Sequence, residues 1–200
     1  MSTILNRSTR AAALPPDERR AAIVAATLPL LLERGPAVTT RQIAEAAGIA
    51  EGTIFRVFAD KEAVLRAAVD LAFDTAPTER ALAAIDRTKV FEDQLVDAVE
   101  IMQRRLKDIW RLVTTVGESD AVKDRKRTPP PDFVALAELF EGHEAVVRHE
   151  PAIAARQLLA LTLAVSHPAL YADEPLSPTE IVSLLLDGIR RPRAKRGTSC

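Results

Sequence analysis

Cysteine is nearly missing from this chain: Cys200 is the only one, and it is the last residue. A lone thiol excludes a disulfide framework and a cysteine-built metal cluster. Long apolar runs are missing as well. Apolar residues make up 48% of the sequence, yet no uninterrupted stretch reaches the ~18 residues of a membrane-spanning helix. The opening MSTILNRSTRAAALPP lacks the apolar segment of a secretory signal, so a cytoplasmic protein with no membrane partner is expected. There is no surplus of charge: the net value is −1, and within residues 1–75 nine Arg and Lys balance nine Asp and Glu. Any polyanion contact must therefore be local. Aromatic residues are few, at 4% (six Phe, Trp110 and Tyr171), and five of them follow residue 75. Neither the alternation of a β-strand nor an internal repeat occurs. What remains is a globular, all-α composition with 28% charged residues, of roughly nine helices.

The most informative stretch is TTRQIAEAAGIAEGTIFRVFADK, Thr39 to Lys61. Thr39 and Gln42 have the spacing of a capping box, each satisfying an orphan amide near the other. Ile43 and Ala47 share one helical face. Gly48 follows where a helix needs a left-handed residue to turn. Ile49 is expected to plug that turn, and a second helix is expected over Ala50 to Val57. Ile54 and Phe58 would face inward, with Glu51, Gly52, Thr53, Phe55, Arg56 and Val57 outward. A small apolar core supporting a short helix that displays a Gly, a Thr and an Arg is a helix-turn-helix arrangement suited to reading DNA.

The combined string TTRxIAxxAG, GTIFRxF and DKEAVL, with IVAATLPLLLERG before it, resembles the TetR family of bacterial transcriptional regulators. The likeness covers about residues 18 to 72; beyond that, only length and helical layout agree. It implies an N-terminal three-helix head, a C-terminal helical bundle, and contacts to double-stranded DNA at an inverted repeat. Thr40 and Arg41 match the family's phosphate and base contacts, and Lys61 matches its phosphate-clamping lysine. Thr40 opens its helix, where a hydroxyl and free amides suit a phosphate. Gly52 permits close approach, Thr53 can bond a phosphate or a base, and Arg56 suits a guanine edge. Two positions depart from the family pattern. Ala50 replaces a Ser or Thr cap, which costs ~1 kcal/mol. Phe55 replaces a tyrosine and so lacks the phenol that bonds a phosphate; it would touch a thymine methyl or sugar, or tuck into the core. Glu51 is acidic on a DNA face, where it would accept from a cytosine amino group or act against wrong sites.

Along the chain, residues 1–16 are expected to form a disordered arm carrying Arg7 and Arg10, residues 17–76 the DNA-binding domain with its linking helix, 77–191 a ligand-binding and dimerisation domain, and 192–200 a disordered tail. Asp17 would cap a first helix running to Gly35, which Pro29 would kink by removing the bond to the Ala25 carbonyl. Asp60 would cap a helix reaching about Ala76. A short helical piece over residues 78–87 would precede a long helix from Val90 to Val116, stopped by Gly117. Glu118–Pro131, with KDRKR and three prolines, reads as a polar loop. A helix is expected from about Asp132 to His149, another from Pro151 to about Ser166, and a last one after the Ser177–Glu180 capping box.

A single helix-turn-helix offers too little contact for tight specific binding, so a homodimer is expected. Its interface would use Leu158, Leu159, Thr162, Val165, Ile181, Leu184, Leu185 and Ile189 of the last two helices. The resemblance further implies a small-molecule effector, and the sparse aromatics suggest a largely apolar one. Met102, Leu106, Trp110, Phe133, Phe140, His143 and Tyr171 are the candidate contacts. Catalysis is not expected: no phosphate loop, nucleophile elbow or dinucleotide fingerprint occurs. His143-Glu144 with His149 fails as a zinc motif, because residue 147 is Val and a spacing of six places the two histidines about 120° apart on a helix. No metal or cofactor is expected. The function these features imply is a homodimeric repressor released from its operator by an effector. A ligand-independent accessory protein, acting through a protein partner with weak DNA binding, is the alternative.

Overall fold

The computed structural model describes residues 15–117, 122, 131–168, 170 and 175–189. The protein is all-α, with no strand among the described residues, and forms two compact units divided between Leu71 and Ala72.

In the first unit, α1 spans Pro16–Arg34, α2 Thr40–Ala46, α3 Glu51–Ile54, and α4 Lys61–Ala72 begins. Asp17 does not cap α1. Pro15 is the N-cap and Pro16 the first helical residue, where a missing amide does no harm, and Asp17 lies within the first turn. The helix continues through Pro29. The Pro29 ring and Ala25, whose carbonyl loses its partner, both face solvent, so water can satisfy the orphan oxygen. Ile23, Val24, Thr27 and Leu31 form the buried side of α1, and Thr27 Oγ1 donates to the Ile23 carbonyl at 2.7 Å. Gly35, at φ 61°, ends the helix. α1 packs on α2, and α2 on α3.

The second unit contains α5 Ala76–Ala83, α6 Phe91–Val116, α7 Val134–Glu138, α8 Pro151–Val165 and α9 Pro178–Ile189. α6 is the spine, packed by α5, α8 and α9, while α7 lies against α5 and α8. Its buried stripe of Phe91, Leu95, Ala98, Val99 and Met102 enters a core with Leu136, Phe140, Leu158, Ile181 and Leu185. Gly117, at φ 67°, ends α6. Arg105, half-buried on α6, donates to the carbonyls of Phe73 at 2.9 Å and Asp74 at 2.7 Å and reaches Thr78 Oγ1 at 3.3 Å. Burial pulls its guanidinium below the usual arginine range, opposed by the Asp74 charge.

Three elements are shorter than their sequence periodicity predicts. α4 ends at Ala72 rather than near Ala76, because the Asp74 carboxylate accepts from the Ala76 amide at 3.0 Å and turns the chain into α5. α3 is one turn long, as the amides of Arg56 and Val57 bond three residues back, to Thr53 and Ile54, instead of four. The helix expected from Asp132 to His149 is α7 followed by turns. Gly142, at φ 78°, reverses the chain, and the His143 ring stacks on Phe91 with centroids 3.9 Å apart. The ends 1–14 and 190–200, and residues 118–121 and 123–130 of the expected polar loop, lie outside the described residues.

Candidate nucleic-acid interface

The helix-turn-helix is built by three local devices. Thr39 accepts from the Gln42 amide at 3.3 Å while the Gln42 side chain accepts from the Thr39 amide at 2.9 Å, completing the capping box. Gly48 turns the chain at φ 65°, and the Ile49 amide donates to the Ala44 carbonyl at 3.0 Å. Ile49 is half-buried, Ala47 likewise, and Ile43 with Ala44 forms the fully covered side of α2. Asp60 then caps α4 by accepting from the Ala63 amide at 2.7 Å. Ala50 precedes α3 with no side-chain cap.

Ile54 and Phe58 are buried, and the Arg20 guanidinium of α1 lies 4.2 Å over the Phe58 ring. Arg20 also donates to the Val57 carbonyl at 3.4 Å, so α1 holds the far end of the recognition segment by a cation–π contact and a hydrogen bond. Opposite this support, Arg41, Glu51, Gly52, Phe55 and Arg56 are exposed, and Thr40 and Thr53 are half-exposed. Phe55 is 53% exposed, which rules out the core position considered for it. Gly52 has an ordinary backbone conformation, and a Cβ placed there would meet nothing within 4 Å. Among the described residues, no packing requires glycine at that point.

Two of these side chains are already engaged. Thr40 Oγ1 donates to Glu51 Oε1 at 2.5 Å, joining the first residues of α2 and α3. Lys61 Nζ donates to the Pro36 carbonyl at 3.0 Å, which ties the start of α4 to the turn before α2. An ammonium has three donors, so Lys61 retains two for a phosphate. Neither contact is visible in the sequence, because the partners lie 11 and 25 residues apart.

In the second unit the candidate ligand contacts lie in and beside the core, with Phe140 and His143 both packed on Phe91. Met102, Leu106, Phe133 and Phe140 are buried, the first, third and fourth as members of the core cluster. His143 stacks on Phe91, and Trp110 meets His167 edge-on with ring centroids 4.3 Å apart. The Trp110 indole nitrogen is buried without a hydrogen-bond partner among the described residues. Tyr171 lies outside the described residues. A shallow cleft of about 190 Å³ does exist, lined by Phe133, Val134, Leu136, Ala137, Ala152, Ala155 and Leu159, with Asp132 and Arg156 paired at 3.3 Å. Of the candidates only Phe133 borders it, and its other walls come from α7 and α8, whose small residues gave no ligand signal in sequence.

Seven of the eight expected dimer residues, Leu158, Leu159, Thr162, Val165, Ile181, Leu185 and Ile189, are buried within the subunit; Leu184 is 55% exposed. The outer side of α8 and α9 instead presents Ile153, Ala160, Ala164, Leu184 and Gly188. Among the described residues, no group of three or more His, Cys, Asp or Glu is placed to hold a metal ion, and no helix is long and apolar enough to cross a membrane.

Residues 23–68 match the family model of bacterial regulatory proteins of the tetR family. Many solved structures share the fold, two of them as follows. A TetR-family transcriptional regulator from Haemophilus influenzae aligns with a TM-score of 0.55 at 17% identity, covering 88% of this chain and 98% of that one. A transcriptional regulator from Rhodococcus sp. Rha1 also aligns at 0.55 and 17% identity, covering 85% and 95%. No curated protein matches the chain at a significant level. Regulators of this family are transcription factors, not enzymes. Residues 23–68 thus carry the sequence pattern of the tetR family's regulators, and the chain around them shares the fold of solved structures of such regulators.

Proposed function

We propose that this regulator is a cytoplasmic homodimeric repressor that holds an inverted-repeat operator through α2 and α3 and leaves it when a small, largely apolar effector binds the second unit. Gly52 carries the DNA part of this reading. It sits in a helix with open space above it, where alanine would be preferred, so its bare backbone suits a surface that approaches from outside. Arg56 beyond it offers a fork for a guanine edge, with Arg41 and Lys61 available to backbone phosphates. On this reading residues 17–76 are the DNA-binding domain with its linking helix, and residues 77–191 sense the effector and dimerise.

Ile153 and Leu184, 46% and 55% exposed on helices whose other large apolar residues are buried or half-buried, support a dimer through the outer face of α8 and α9. Release requires only that the effector bind more tightly to the state in which the two heads do not match the operator.

The experiment is selection from a randomised duplex pool with purified dimer at near-physiological salt. An enriched inverted repeat is expected, bound with an affinity that falls steeply as salt rises, because phosphate contacts release counterions. On that operator, Arg56→Ala is expected to lose about 1–3 kcal/mol and relax one column of the preference, while Lys61→Ala weakens all sequences alike. Folded dimer that enriches nothing would point to the accessory role.

A further inference from the structure

The hydrogen bond between Thr40 and Glu51 changes what both residues can do on DNA. A threonine hydroxyl has one proton, and here it points at a carboxylate oxygen 2.5 Å away. An ionised phosphate has only acceptors to offer, so this hydroxyl cannot hold a phosphate while it holds Glu51. The phosphate role implied for Thr40 by resemblance therefore does not describe this arrangement. What the bond does instead is fix a long, exposed side chain before DNA arrives. Hydrogen bonds to an ionised partner are short and strong, and a side chain ordered in advance loses less entropy on binding.

Glu51 keeps Oε2 and a lone pair of Oε1 for a further donor. On the major-groove edges, guanine and thymine present acceptors opposite a carboxylate, which repel it. Adenine presents a donor amino group beside the N7 acceptor, whereas cytosine presents its N4 amino group with no neighbouring acceptor. Gly52, next along the chain, has no side chain to keep α3 away from the base edges, and Arg56 lies about one turn further on.

We propose that Thr40 and Glu51 act as one reading unit: the hydroxyl positions the carboxylate, and the carboxylate accepts from the N4 amino group of one cytosine in each half-site. This inference depends on the operator-binding reading above and adds a base identity to it.

The test is selection from the randomised duplex pool with wild-type protein and with Glu51→Ala, Glu51→Gln, Thr40→Val and Thr40→Ser, each confirmed as folded by circular dichroism. Affinities are then measured on fixed duplexes that vary one pair at a time. Wild type is expected to enrich one C·G column per half-site, and replacing that pair should weaken binding about 5- to 150-fold. Glu51→Ala should reduce that discrimination to below about 2-fold and leave the other columns in place. Glu51→Gln should move the column towards adenine, whose N6 and N7 match an amide. Thr40→Val keeps the shape without the donor and should blur the same column; Thr40→Ser should restore it.

Two results would overturn the inference while leaving the operator reading intact. One is a Glu51→Ala protein that binds every sequence more tightly with unchanged columns, which makes the carboxylate a repelling charge. The other is a Thr40→Val protein that weakens all sequences equally with the C·G column intact, which makes Thr40 a phosphate contact. Wild-type protein that enriches no sequence would remove both readings together.

Discussion

At the scale of single residues, Gly52 makes the sharpest prediction. Glycine inside a helix is less stable than alanine by about 0.5–1 kcal/mol, and nothing among the described residues would clash with the added methyl. Gly52→Ala should therefore raise resistance to denaturant and lower operator affinity. A variant that gains in both would show that DNA does not approach this point closely. Much at this scale is legible in sequence when the partners are three residues apart. Thr39 with Gln42 and Ser177 with Glu180 form the boxes their spacing predicts, and Gly48 and Gly117 take positive φ where a helix stops. The bond from Thr40 to Glu51 was not legible, because it depends on how the turn at Gly48 brings two helix starts together. Periodicity describes one helix at a time.

Elements show the same limit from the other side. The apolar spacing of residues 132–149 fits one helix equally well as a five-residue helix followed by turns, and the positive φ of Gly142 decides between them. In α1, Pro29→Ala restores the bond to the Ala25 carbonyl. It should raise stability by up to about 3 kcal/mol, read from the denaturant midpoint; no gain would mean that the helix is already strained away from that bond. The start of α9 is sensitive to acid. The Ser177 hydroxyl and then its amide, donating at 2.6 and 2.9 Å, hold the Glu180 carboxyl below the ordinary glutamate value of 4.5. The native bonds favour the ionised form, so their contribution is complete above that ordinary value and is lost as pH falls through the lowered native one. Asp86, held down by the Thr88 amide and hydroxyl, and Glu144, held down by its own amide and that of Gly142, act in the same direction. Ser177→Ala should flatten the acid limb of a stability-against-pH profile by lowering its neutral value more than its acid end. An unaltered limb would remove Glu180 from the acid response.

For the whole molecule, the question is which apolar residues face a partner copy. The sequence marks α8 and α9 as apolar on more than one side, and it does not say which side belongs to the subunit's own core. The structure buries Leu158 and Ile181 and leaves Leu184 outside. Leu184→Glu should therefore yield folded monomers by sedimentation with loss of operator binding. Leu158→Ala should instead lower stability by about 2–5 kcal/mol through a cavity. Folded dimers from Leu184→Glu would place the interface elsewhere.

The single turn of α3 also limits how much address one subunit can store. Four residues of helix, supported from behind by Ile54 and Phe58, present only a few side chains to base edges, and each can discriminate about one base pair. So short a word recurs by chance throughout a genome, where non-specific sites compete in vast number. Two copies of the word at a fixed separation recur far more rarely. In the proposed dimer, selectivity is thus a property of spacing as much as of letters, and a change that shifts the distance between the two heads would erase the message without altering a single reading residue.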